Sequence, residues 1–391
     1  MKIAIVAQGL EFSGGVPFLA KWLSDGLAER HEISLVALPT SRNDLLSTKI
    51  FSPKTWFKSP LIESYSKWGY QGHRIGCRWV DFEPFRYIPN DLLTDHLNQF
   101  DCVLLVAGAP SVANVLKNVK TKKYLQVATT MEMERHMYFR GWNGLRGIYY
   151  RMIRPVVNWM DRKGTLVPDG VFVENFHMQR WVEKIAGKNK THFAPPGIAM
   201  DKFIQKKNFS PNDYILCVSR LGDRRKNFGL LLKAYFILRG KNKNTPKLVI
   251  AGMGDLAPEL YDYISKNHLE QFIDVRRDVP LPDLIRLYVN AGLFVLSSDE
   301  EGLGLVILEA MASGLPIVST DCGGPAVLVK SHENGLLVPV RDAAALADAM
   351  YEVIKSTEGA KKMGENSYRM AKQNFTTEIC IERFEKILIN Y

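Results

Sequence analysis

Short, continuously apolar runs recur along the chain, and longer stretches of helical periodicity separate them. The runs are Ile3–Ala7, Ile33–Leu38, Cys102–Ala107, Tyr124–Ala128, Val171–Val173, Tyr214–Val218, Leu248–Ala251, Leu293–Leu296 and Pro316–Ser319. An unbroken apolar run is the pattern of a strand buried on both faces, and strands alternating with helices predict a parallel sheet. The fold class expected is therefore α/β. Helices are expected at Val16–Leu27, Leu230–Leu238 and Leu305–Ala312.

The series breaks once. Lys188-Asn189-Lys190 and Ala194-Pro195-Pro196-Gly197 form a polar, Pro/Gly stretch, and a fresh strand–loop–helix series starts at Tyr214. At 391 residues two domains are the expectation. We place them at 1–197 and 198–372, two α/β units facing a central cleft. A closing segment, 373–391, contains a helix around Thr377–Ile389 that could pack back on the first unit. Two stretches interrupt the rhythm: the Pro- and aromatic-rich residues 51–92, and residues 134–163, where seven Arg and Lys alternate with Tyr, Phe and Trp.

Composition narrows the class. Apolar residues at 46% and charged residues at 24% exclude a disordered chain. No apolar run reaches the ~18–20 residues of a spanning helix. Met1–Gly9 reads as a first strand, so a cytoplasmic location is expected. The five cysteines show no C-x-x-C spacing and read as buried, reduced thiols. Fifty-one Lys and Arg against 41 Asp and Glu give +10, which favours anionic partners such as nucleotide phosphates or acidic lipid.

The chemistry concentrates in the second half. Ser297-Ser298 ends a strand, a loop with Gly302 and Gly304 follows, and a helix opens at Leu305. Glycines leave the backbone open to close approach, and the first N–H groups of a helix lack internal partners, so this is a natural phosphate seat. Glu301 and Glu309 flank it, and carboxylates accept hydrogen bonds from sugar hydroxyls. Read from the residues alone, a solvated Glu301 and a helix-end Glu309 of capping value only stay open as the lesser alternative. In Val218-Ser219-Arg220-Leu221-Gly222-Asp223-Arg224-Arg225-Lys226-Asn227, Arg220 and Lys226 would sit at the carboxyl edge of a sheet, where two cations suit a diphosphate. The loop at Gly14-Gly15, after the first strand, has the same openness. There is no Walker A sequence, no Asp-x-Asp triplet, no zinc spacing of His and Cys, and no Gly-x-Ser-x-Gly.

These segments resemble the family 4 glycosyltransferases, retaining enzymes of the GT-B fold. "EEGLGLVILEAMASGLPIV" carries the family's E-x7-E as Glu301 and Glu309, and "VSRLGDRRKN" carries its Arg and Lys as Arg220 and Lys226. "LVIAGMGD" and "TDCGGPAVLVKSHENGLLVP" are similar to family segments. The likeness covers about residues 193–345. It implies two Rossmann-like domains, the first for the acceptor and the second for a nucleotide diphosphate sugar. Arg220 and Lys226 would hold the donor diphosphate. Glu301 would bind the donor sugar, with the backbone of Gly302, Leu303 and Gly304. Glu309 would bind the ribose, the amides of Gly304 and Leu305 the phosphate, and Val275 to Arg277 the base; Gly15 would add a backbone contact. No cofactor and no metal are implied. The acceptor implied is a saccharide or a lipid-linked saccharide of envelope polysaccharide or glycolipid synthesis.

The likeness has a gap. Many members carry a His just after the strand matching Tyr124–Ala128, where this chain reads Thr129-Thr130-Met131-Glu132-Met133-Glu134-Arg135-His136. Glu132, Glu134 and His136 are candidates for sugar or acceptor contacts. The basic aromatic stretch 134–163 is either a surface for anionic membrane, on the inner face, or a helix that buries its aromatics. A nucleotide-sugar epimerase of the same fold and a non-catalytic nucleotide-sugar binder stay open as alternatives. Nucleic acid is not expected, since no recognisable module accompanies the charge.

Overall fold

The computed structural model describes residues 1–12, 14–134, 145–210 and 213–390. The chain divides into two compact units. The first is Met1–Pro196 together with Ile381–Tyr391, and the second is Gly197–Cys380.

The first unit holds an eight-stranded sheet. Its strands are β1 (Lys2–Gln8), β2 (Glu32–Leu38), β3 (Ile62–Lys67), β4 (Tyr70–Ile75), β5 (Cys102–Ala107), β6 (Lys122–Val127), β7 (Gly170–Val173) and β8 (Thr191–Phe193), in the order β3-β4-β2-β1-β5-β6-β7-β8. The central strands β1, β5, β6 and β7 are almost wholly buried, as continuous apolar runs require. All neighbours are parallel except β3 and β4. That antiparallel pair lies inside 51–92, where no strand was expected. Its residues, IESYSK and YQGHRI, are polar because the pair sits at the sheet edge with one face open. Trp68 and Gly69, both at positive φ, form the two-residue turn that joins them.

The helix Leu145–Leu166 covers this sheet and buries Ile153, Val157 and Met160 in the core of the unit. Asp161, on the same helix, is buried and accepts the amides of Ser111 and Met131, each at 2.9 Å. The last helix, Thr377–Asn390, starts in the second unit and ends in the first. The change of unit falls at Ile381, inside the helix, rather than ahead of it at residue 373. Phe384 packs 4.5 Å from Phe172 and 5.9 Å from Trp22, ring centre to ring centre. Glu385 takes Arg30 as a salt-bridge partner and lies 3.3 Å from His31.

The second unit is a six-stranded parallel sheet of β9 (Tyr214–Val218), β10 (Leu248–Gly252), β11 (Ile273–Arg277), β12 (Ala291–Leu296), β13 (Ile317–Thr320) and β14 (Gly335–Val338). The order is β11-β10-β9-β12-β13-β14. The chain builds outward from β9 to β11, then crosses back to lay β12 on the other side of β9. The order therefore reverses between β9 and β12, the place where a doubly wound sheet opens a crevice beyond its carboxyl ends. All five cysteines are free thiols.

Candidate functional site

The loops leaving β9 and β12, at that reversal, carry Arg220, Lys226, Glu301 and the Gly302–Gly304 turn, and polar bonds stitch them together. Ser297 Oγ donates to the carbonyl of Lys226 at 2.9 Å, and the Asp299 amide donates to the carbonyl of Arg225 at 2.7 Å. Asn227 Nδ2 donates to Asp299 Oδ1 at 3.1 Å, while Arg341 Nε lies 3.2 Å from the other carboxylate oxygen. Asn227 adopts the left-handed conformation that its short polar side chain tolerates, and caps the helix Phe228–Lys241 by accepting the Leu230 amide. Lys226 is thereby held at the turn just ahead of that helix.

Lys226 Nζ donates to Glu301 Oε1 at 2.6 Å, and Ser298 Oγ donates to the same oxygen at 2.8 Å. Both bonds fall on one carboxylate oxygen. The ammonium is nearly buried, so its charge is poorly screened. Cys217, beneath the pair, is pushed up to about 12 by burial, with Lys226 pulling down and Glu301 pushing up, so it stays a neutral thiol.

Beyond Glu301 the chain turns through Gly302 and Leu303 to Gly304, whose φ of 92° places it in the left-handed region. Gly304 caps the helix Leu305–Ala312 without any side-chain bond to the first amides. Leu303's side chain is buried, so only its backbone is available. Gly324 closes on this turn from the β13 side. Its amide donates to the Glu301 carbonyl at 3.1 Å, and a Cβ there would fall 2.6 Å from the Gly302 carbonyl oxygen.

Glu309, one turn into the helix, accepts the Tyr288 hydroxyl at 2.6 Å. Burial pushes its carboxyl up to about 7, and the Tyr288 bond pulls the other way. Arg220 is exposed at the end of β9, with Nη2 2.8 Å from Asp223 Oδ2. Asp223 also accepts Arg225 Nε at 3.1 Å and Nη2 at 2.8 Å. Burial works to raise Asp223, but the bonds and charge of Arg225 and the charge of Arg220 outweigh it and hold the carboxyl below its ordinary value.

Val275 and Arg277 lie on β11, the sheet edge two strands from β9. Val275 packs on the core, and Arg277 is exposed with Asp255 at 2.9 Å.

In the first unit, a Cβ at Gly15 would meet nothing within 4 Å among the described residues, so the chain's own packing does not require glycine there. Glu132 is taken up by Arg154 and by Asn158, whose Nδ2 donates at 2.7 Å, and so ties its segment to the helix Leu145–Leu166. Glu134 is half-buried near Gly108. His136 lies outside the described residues. The sequence reading missed Ser298 and Tyr288, which orient the two glutamates. Ser298 reads only as the end of a strand, and Tyr288 sits in the amphipathic helix Leu281–Asn290, 21 positions before Glu309. It also missed the buried Gln126–Glu174 bond of 2.9 Å at the ends of β6 and β7, where burial pushes Glu174 up to about 7 against the pull of Gln126. Glu174 follows an apolar strand directly, which is the signal that could have found it.

Residues 200–370 match the family described as Glycosyl transferases group 1. Over 189 residues the chain is 29% identical to the amylovoran biosynthesis glycosyltransferase AmsD of Erwinia amylovora, covering 48% of this chain and 50% of that one. The chain spans about half the length of that relative. Among solved structures it resembles sucrose-phosphate synthase of Thermosynechococcus elongatus, with a TM-score of 0.71 and 16% identity over 99% of this chain and 98% of the other. It also resembles Anabaena Alr3699/HepE in complex with UDP, with a TM-score of 0.71 and 15% identity over the full length of both. At such identity the likeness bears on fold alone, and the fold is GT-B.

Proposed function

From a second unit whose residues 200–370 form a Glycosyl transferases group 1 domain, we propose that the chain is a glycosyltransferase. It moves a hexosyl unit from a nucleotide diphosphate sugar to a saccharide or lipid-linked saccharide, with retention at the anomeric carbon. The observation that carries this reading is the Lys226–Glu301 contact of 2.6 Å beside an uncapped helix start at Gly304. A cation, bare amides and a carboxylate converge there, which suits a pyrophosphate joined to a sugar.

On this reading the Lys226 ammonium exchanges part of its bond to Glu301 for a donor phosphate oxygen, and Arg220 turns from Asp223 to the same diphosphate. Glu301 Oε2 accepts sugar hydroxyls, and Glu309 accepts ribose hydroxyls beside Tyr288. The anomeric C–O bond to the phosphate breaks as the acceptor oxygen bonds to the same face of the carbon. The acceptor's proton passes to the departing phosphate oxygen. Cations whose grip tightens as that phosphate gains charge lower the barrier. Arg220 and Lys226 supply this charge, so the reading needs no divalent cation. The reading takes the chain to act in the cytoplasm.

A thermal-shift panel of UDP, GDP, ADP and their sugars tests donor binding; a ligand at 100 times its Kd adds about 2.7 kcal/mol. With a stabilising donor identified, Lys226→Ala and Glu309→Ala should each cut transfer about a hundredfold or more while circular dichroism shows the protein still folded. Near-normal transfer in both variants would overturn the assignment. Conversion of the donor without release of nucleoside diphosphate would favour an epimerase instead.

A further inference from the structure

The helix Leu145–Leu166 has two apolar faces. One, with Ile153, Val157 and Met160, is buried in the first unit. At 3.6 residues per turn, Ile148, Met152, Val156, Trp159 and Leu166 fall in a second stripe about 120° round the helix from the first. All five are exposed, Met152 at 74% and Trp159 at 59%. A surface helix ordinarily keeps one apolar stripe and turns polar residues outward. A second stripe of large side chains marks a docking surface.

The charge around the stripe says what it fits. Arg151, Arg154, Arg162 and Lys163 are all exposed on this helix. The helix has a single carboxylate, Asp161, which is buried under the amides of Ser111 and Met131. The outward side therefore carries cations and no anion of its own, with Glu132 of the preceding segment paired to Arg154. A second copy docked through the same face would set these cations against their own counterparts, a repulsive arrangement. A polyanion alone would leave the apolar stripe in water.

We propose that this face seats the protein on an anionic lipid surface, with Met152, Val156 and Trp159 entering the headgroup boundary and Arg151, Arg162 and Lys163 meeting lipid phosphates. Among the described residues no helix is long and apolar enough to cross a membrane, so the contact is peripheral. The inference stands apart from the donor site, which lies in the other unit.

The test is co-flotation of the whole chain with vesicles of phosphatidylcholine alone or mixed with phosphatidylglycerol. Wild type should bind the mixed vesicles about tenfold more tightly, and high salt should erase the difference. Met152→Ser with Trp159→Ser should lower binding to mixed vesicles by about tenfold. Arg151→Glu with Arg162→Glu and Lys163→Glu should abolish the preference for anionic lipid. Both variants should keep the wild-type melting temperature, since every altered side chain is exposed. Equal binding to both vesicles, or wild-type binding by folded variants, would overturn the proposal. So would a dimer in sedimentation that Trp159→Ser dissociates in the absence of any vesicle binding.

Discussion

Glu309 shows how a single side chain is tuned by its surroundings. Its carboxyl is raised to about 7 by burial, yet as the proposed ribose ligand it accepts most strongly when ionised. The sign follows: a raised carboxyl is protonated below about 7, so donor affinity should rise as pH climbs through that value. Calorimetric titration of the nucleotide sugar, whose diphosphate does not ionise in this range, should show the rise in wild type and a flat profile in Glu309→Gln. A wild-type profile in the variant would assign the titration elsewhere. At this scale the sequence was informative about the charged groups, because Glu301, Glu309, Arg220 and Lys226 sit in loops or helix starts at fixed spacing. It was silent on Ser298 and Tyr288, whose parts depend on distances across the fold. The Tyr288 hydroxyl meets a carboxylate 21 positions away, a separation no local pattern encodes.

The helix Leu305–Ala312 is placed by the loops around it, and Gly324 is the tightest point of that support. Adding one methyl there would press on the Gly302 carbonyl from 2.6 Å, closer than a Cβ contact permits. Gly324→Ala should cost about 1–3 kcal/mol and, by moving the turn that carries Glu301, weaken donor binding more than Gly15→Ala does. Denaturant melts and donor titrations of the two variants check this. Elements were legible where burial is two-sided: β1, β5 and β9 are continuous apolar runs in sequence and buried strands in the fold. Strands at or beside a sheet edge were not. β3, β4 and β11 carry Glu, Lys, Asp and Arg because one side meets water, and their register comes from a neighbour. The helix Leu145–Leu166 was legible as basic and aromatic, but which of its faces is buried is a tertiary fact.

The fold class and the existence of two units could be read from the strand rhythm and its break near Pro195-Pro196. The return of the chain could only be raised as a question, since nothing local to Thr377–Asn390 says that Phe384 rests on Phe172 and Trp22. A fragment ending at Pro196 lacks those contacts and exposes the rings they cover. It should melt below the intact chain by about the 3–5 kcal/mol typical of deleting a buried aromatic, and a peptide of residues 377–390 added in trans should raise it again. A fragment indifferent to the peptide would show that the first unit is complete without it. The arrangement also sets an order on birth at the ribosome. Synthesis runs from the amino end, and domains ordinarily fold as they emerge. Here the first unit is made before the segment that carries Phe384, so its socket stays open until that helix leaves the exit tunnel. A nascent chain stalled partway therefore displays an unfilled aromatic hollow for chaperones to recognise.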